Sequence, residues 1–91
     1  MISNDKKQKM PWPTIRNGLA MRKEFKFKDF VSAWSFMTDI AKIADESDHH
    51  PEWSNTYNYV EIILSTHDAG KITSQDITLA NNIDIIEKKY K

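Results

Sequence analysis

The pair Asn17-Gly18 separates the segment Trp12 to Arg16 from the stretch Leu19 to Phe27, in which apolar and polar residues alternate. Asn-Gly tolerates the positive φ angles of a tight two-residue turn, and period-two patterning beside it specifies a β-hairpin. A hairpin commits this part of the chain to an antiparallel sheet with one buried face. Leu19, Met21, Phe25 and Phe27 form the expected core face and Ala20, Arg22, Glu24 and Lys26 the opposite one, with Lys23 as the break in the pattern.

Asp29 is placed to cap a helix running to about Ser47, and Phe30, Trp34, Met37, Ala41 and Ala44 recur along it at helical spacing, a stripe expected to pack on the sheet. Phe36, Ile40 and Ile43 widen the apolar arc, either as a broad core stripe or as a surface for contact with another subunit. Pro51 lacks a backbone donor and biases His50 toward extended backbone, so the helix ends before it and His49 and His50 lie in a constrained loop. Trp53 to Tyr57 and Tyr59 to Thr66 predict a second hairpin turning near Asn58, with Val60, Ile62 and Leu64 on one face and Glu61, Ile63, Ser65 and His67 on the other. Gly70 interrupts the chain, and Thr73-Ser74-Gln75-Asp76 has capping-box spacing ahead of a helix through Ile77, Ala80, Ile83 and Tyr90. The order implies an α+β fold, a four-stranded antiparallel sheet with helices packed on one face.

At 91 residues the chain is expected to form one domain, over 12–91, too small to bury much of its surface and so favoured by self-association. Lys6, Lys7 and Lys9, with Met10 ahead of Pro11, make residues 1–11 a solvated tail or short helix. Lys plus Arg and Asp plus Glu number 13 each, which argues against nucleic acid or an anionic membrane as a partner held by bulk charge. With no cysteine, disulfides and thiolate chemistry are excluded. No apolar run approaches the roughly 20 residues of a membrane span, and no signal-peptide pattern opens the chain, so the expected location is cytoplasmic.

His49, His50 and His67 all fall at element ends. Imidazole both gives and takes protons near neutral pH, so such a cluster suits acid–base work, although a histidine taken singly is more often a hydrogen-bonded loop residue than a catalyst. A zinc site from these three with Asp48 or Asp68 is the competing reading; adjacent residues in extended backbone diverge, and HExxH spacing is absent, which disfavours it. No nucleophile-elbow serine or glycine-rich phosphate loop occurs. Trp53, Tyr57 and Tyr59 serve either cross-strand packing or a wall for a flat ligand, and Asp76 caps its helix with room for a second role.

His49-His50-Pro51-Glu52-Trp53, Asn55-x-Tyr57-Asn58-x-Val60, Leu64-Ser65-Thr66-His67-Asp68 and Thr73-x-x-Asp76-x-x-Leu79-Ala80 together resemble the pterin-4a-carbinolamine dehydratases, as do Phe25 to Phe30 and Phe36-Met37. The resemblance covers about residues 12 to 86. It implies a lyase that dehydrates 4a-hydroxytetrahydropterin to quinonoid dihydropterin, a recycling step of tetrahydrobiopterin metabolism, without metal or organic cofactor. By position it makes His49, His50, His67 and Asp76 the catalytic group, with His50, Pro51, Trp53, Ser65, Thr66 and Asp68 contacting the pterin. His49 and His67 are then the acid–base pair, and His50 holds the substrate. It also implies a homodimer through sheet edges or a homotetramer through helices, and some relatives act as dimerisation cofactors for a transcription factor, so a non-catalytic binding module is the alternative. Three departures stand out: the short stretch before Pro11 where the family opens with a helix, Asp45-Glu46 where Glu-Lys is common, and Lys71 where a second glycine is common.

Overall fold

The computed structural model describes residues 10–91. The basic tail with Lys6, Lys7 and Lys9 lies outside the described residues. Strand β1 (Thr14–Ile15) pairs antiparallel with β2 (Ala20–Lys26), helix α1 spans Phe30–Glu46, β3 (Glu52–Thr56) and β4 (Tyr59–Leu64) form the second hairpin, and α2 (Ser74–Glu87) runs into a 3-10 turn at Lys88–Tyr90. The sheet order is β1-β2-β4-β3, every pairing antiparallel, so the two hairpins meet along β2 and β4. This is the fold the sequence predicts.

β1 is shorter than the Trp12 to Arg16 segment because Pro13 has no N–H to donate; its carbonyl still accepts from Arg22 N at 2.9 Å. Trp12 turns inward instead, 2% exposed, and its Nε1 donates to both Asp84 oxygens at 3.1 and 3.2 Å. The hairpin loop is also wider than two residues. Arg16, Asn17 and Gly18 all take left-handed φ (56°, 58° and 82°), so Leu19 falls in the loop and is exposed, contrary to its expected place in the core. Lys23 is the pattern break for a reason: the register sets it opposite Ile62 on the inner face, and its long stem carries the amine to Asp84 at 2.9 Å.

The helix face is the larger correction. Asp29 caps α1 by accepting from Ser32 N at 2.8 Å, as predicted. The residues buried against the sheet, however, are Ala33, Phe36, Ile40 and Ala44, while Phe30 and Trp34 stack on each other outside and Ala41 is exposed. The two apolar stripes lie about a quarter turn apart on the helix, so spacing alone does not choose between them. Phe36 wins because it lies 5.0 Å from the Phe25 ring and 4.7 Å from Phe27, an aromatic nest that Tyr90 closes from the 3-10 turn. The Tyr90 hydroxyl donates to Asp39 Oδ2 at 2.5 Å, pinning the C-terminal turn to α1.

Val60, Ile62 and Leu64 face inward as read, joining Met21, Phe25 and the Leu79, Ala80 and Ile83 face of α2 in one core. Ile77, expected in that face, is half-buried at its margin. Asn55 holds the β3–β4 turn by donating to the carbonyls of Tyr57 and Tyr59, and Asn58 donates to Phe27 O at 2.8 Å, tying that turn to the end of β2. On the helix-free face Arg22 pairs with Glu61 and Glu24. No helix of the described residues is long and apolar enough to cross a membrane.

Candidate active site

The C-terminus of α1 is shaped by a Schellman-type closure. His49 N donates to Ala44 O at 3.0 Å and Asp48 N to Asp45 O at 3.1 Å, while Asp48 takes the left-handed conformation at φ 53°. Glycine usually fills that position; aspartate is among the side chains that tolerate it. The closure reverses the chain so that His49 enters the interior, while His50, ahead of Pro51, is exposed to solvent. Of the two adjacent histidines, then, one is buried and one exposed.

Two other segments converge on His49. β4 ends at Leu64, so Ser65 and His67 do not continue its pleat: His67 sits in a tight turn closed by Gly70 N donating to Thr66 O at 2.8 Å, with Gly70 at φ 66°. Beyond it, Thr73 opens α2 and the capping box is present, with Thr73 N donating to Asp76 Oδ2 at 2.9 Å. Asp76 is completely buried, a cost that carboxylates bear only when their oxygens are satisfied. Here they are. His49 Nε2 meets Oδ1 at 2.6 Å, and Thr66 Oγ1 donates to Oδ2 at 2.7 Å. Among the described residues no buried side-chain polar atom lacks a partner. An ionised carboxylate only accepts, so opposite one His49 Nε2 carries the hydrogen and, in the neutral ring, Nδ1 is left with a lone pair.

His49, His50 and His67 line one open cleft of about 270 Å³ with Ser65, Thr66 and Asp68. Asp76 stands behind His49 and does not line it. Pro51 and Trp53 are elsewhere: they form, with Asp45, an adjoining groove that meets the cleft at His50. His50 Nε2 lies 3.4 Å from Asp45 Oδ1, too long for a strong contact. Asp48 and Gln75 complete the cleft. Sequence reasoning considered Asp48 only as a metal ligand and passed over Gln75, which follows from its place in the first turn of α2 beside Asp76. Thr73 appeared only as a cap. Among the described residues no three His, Asp or Glu side chains come together as a metal would require.

A small α+β domain with a histidine–aspartate pair buried beneath an open cleft, and two further histidines on its rim, is a histidine-centred cleft protein of the antiparallel-sheet class. Within that class the chain belongs to the pterin 4 alpha carbinolamine dehydratase family, whose model matches residues 2–86. A Bradyrhizobium diazoefficiens protein is 49% identical over 77 residues, 85% of this chain and 77% of its own length, and one from Nitrobacter hamburgensis is 42% identical over 79 residues, 87% and 78%; both carry provisional pterin-4-alpha-carbinolamine dehydratase names. The crystal structure of a transcriptional coactivator/pterin dehydratase from Brucella melitensis superposes with a TM-score of 0.81 at 41% identity, covering 84% of this chain and 81% of that one. A pterin dehydratase-like protein identified as a RuBisCO assembly factor in the alpha-carboxysome shares the fold, with a TM-score of 0.73 at 18% identity and coverage of 88% and 92%.

Proposed function

We propose that this protein dehydrates a 4a-hydroxytetrahydropterin to the quinonoid dihydropterin by histidine acid–base catalysis, in pterin recycling. The observation that carries the reading is the His49–Asp76 contact of 2.6 Å beneath a cleft whose rim bears His50 and His67. The reaction breaks the bond from ring carbon 4a to its hydroxyl oxygen. The oxygen leaves as water once it receives a proton, and the neighbouring ring nitrogen gives up its hydrogen as its electrons form the new double bond to carbon 4a. One group must donate while another accepts.

His49 fits the acceptor. Asp76 holds its hydrogen on Nε2, leaves Nδ1 with a lone pair, and stabilises the imidazolium that forms. His67, exposed on its turn, can exchange protons with water and supplies a proton to the leaving oxygen. His50 faces both cleft and groove and holds the substrate between them, with Ser65 and Asp68 offering hydrogen bonds to the pterin edge, Thr66 beside them turning its hydroxyl to Asp76, and Pro51 and Trp53 an apolar wall beyond it. No metal or organic cofactor enters this scheme. The deciding assay follows loss of 4a-hydroxytetrahydropterin by stopped-flow absorbance with and without protein; an unchanged rate would refute the assignment.

A second reading, a binding module, draws support from the outer face of α1, where Phe30, Val31 and Trp34 are 43%, 69% and 55% exposed. The coactivator description of the Brucella melitensis relative is consistent with such a role. We assign that face to contact between copies in a homodimer or homotetramer.

A further inference from the structure

The mechanism uses Asp76 but leaves open what holds Asp76, and the hydroxyls around it answer in one direction only. Thr66 has a single hydroxyl hydrogen, and its 2.7 Å contact with the carboxylate oxygen Oδ2 consumes it. The Thr66 and Thr73 hydroxyl oxygens lie 2.5 Å apart, so in that contact Thr73 is the donor. The chain therefore runs from the Thr73 hydroxyl to the Thr66 hydroxyl to Asp76 Oδ2, with Asp76 Oδ1 on His49 at its end. Helix capping uses the Thr73 hydroxyl oxygen as acceptor from the Asp76 N–H and the Thr73 N–H as donor to Oδ2, which leaves the hydrogen of the Thr73 hydroxyl to be aimed elsewhere.

We propose that Thr73 is a positioning residue of the site: its hydroxyl heads a one-way hydrogen-bond chain through Thr66 that orients the Asp76 carboxylate and so selects the Nε2–H form of His49. Each donor in such a chain polarises the next, and in a buried setting the last link is held more tightly than an isolated pair. The chain also links three separate segments, the turn after β4, the start of α2 and the loop after α1, so the orientation of one imidazole depends on the mutual placement of all three.

The rate readout of this proposal rests on the dehydratase reading, whereas the state of the His49 ring does not. The test uses the whole protein with histidines labelled by 15N, whose ring shifts distinguish protonated from unprotonated nitrogens, alongside kcat and KM. Thr66→Val removes the link that touches Asp76. His49 should lose its fixed Nε2–H signal and kcat should fall about tenfold or more, with KM little changed. Thr73→Val removes the remote link and should produce the same spectral change in smaller degree with a severalfold loss of kcat, and Thr73→Ser should restore both. Because the links are in series, the double Val variant should be no worse than Thr66→Val alone. If Thr73→Val loses stability while its His49 signals and kcat match wild type, Thr73 is a helix cap and the proposal is wrong. Multiplicative losses in the double variant overturn it equally. Should Thr73→Val fail to fold, Thr66→Val decides alone, and an unaltered His49 spectrum there refutes the chain. Altered His49 signals in a protein without dehydratase activity would leave the chain intact and sink only the proposed reaction.

Discussion

Replacing Asp76 by asparagine changes one atom's chemistry and almost no volume, yet the surroundings dictate how the amide must sit. Oδ2 faces two donors, the Thr73 N–H at 2.9 Å and the Thr66 hydroxyl at 2.7 Å, and the backbone N–H cannot turn away. The amide oxygen therefore takes that side, and the NH2 group faces His49 Nε2 across a contact that is 2.6 Å in the wild type. Two donors cannot face each other at that distance, so the His49 hydrogen moves to Nδ1, the nitrogen that has to accept a proton. Loss of a positioned base typically costs about a hundred- to ten-thousand-fold, or about 3 to 5 kcal/mol in the barrier. Stability should suffer much less. Charge-assisted hydrogen bonds become neutral ones, at about 1–2 kcal/mol, partly offset because no charge is left to bury. In a domain of this size that lowers Tm by roughly 5–10 °C. Stopped-flow turnover and thermal unfolding of the same preparation separate the two effects. A folded Asp76→Asn protein that turns over at the wild-type rate would refute both the base assignment and the tautomer argument behind it.

His50→Ala and His67→Ala should each change stability by within about 0.5 kcal/mol, because both side chains are exposed, while His67→Ala lowers kcat and His50→Ala raises KM; steady-state kinetics on the folded variants checks the split. Asp39 is held below the usual carboxylate range first by the Tyr90 hydroxyl and then by Lys89, so the stability it contributes is present above its unfolded value of about 4 and lost as pH falls through the lower folded one. The Tm gap between wild type and Tyr90→Phe should accordingly be open at neutral pH and narrow in acid, and a gap that persists unchanged at pH 2 contradicts this. Light scattering at micromolar concentration should show an oligomer that Trp34→Glu dissociates, since Trp34 lies at the centre of the exposed apolar face of α1; a monomeric wild type would dispose of that surface's role.

The hairpins, the end of α1 and the start of α2 were legible because each is written in adjacent residues: Asn17-Gly18, the alternation around Val60 to Leu64, Pro51, and the Thr73 to Asp76 box. The choice between the two stripes of α1 was not, because both are apolar at the same period and only the position of the Phe25 and Phe27 rings decides. Leu19 was misplaced for a local reason, the extra left-handed residue at Arg16 that widens the turn. At the site, the histidines could be picked out by residue type and Asp76 by its motif. That Asp76 lies under His49, 27 residues away in the chain, is a product of tertiary packing and shows in no spacing. The left-handed backbone at Asp48 left no sign either, since the residue that usually marks it, glycine, is absent.

The division of the three histidines between interior and surface bears on how such a chain can change over generations. His49 is tied into the hydrogen bonding of a buried carboxylate, so most replacements there strand Asp76 and endanger folding. His50 and His67 carry almost no structural burden and can drift freely once selection on turnover relaxes. A lineage that ceases to need the reaction should therefore lose its rim histidines first and keep its inner pair longest, and the scaffold it retains would be intact, stable and open to other uses.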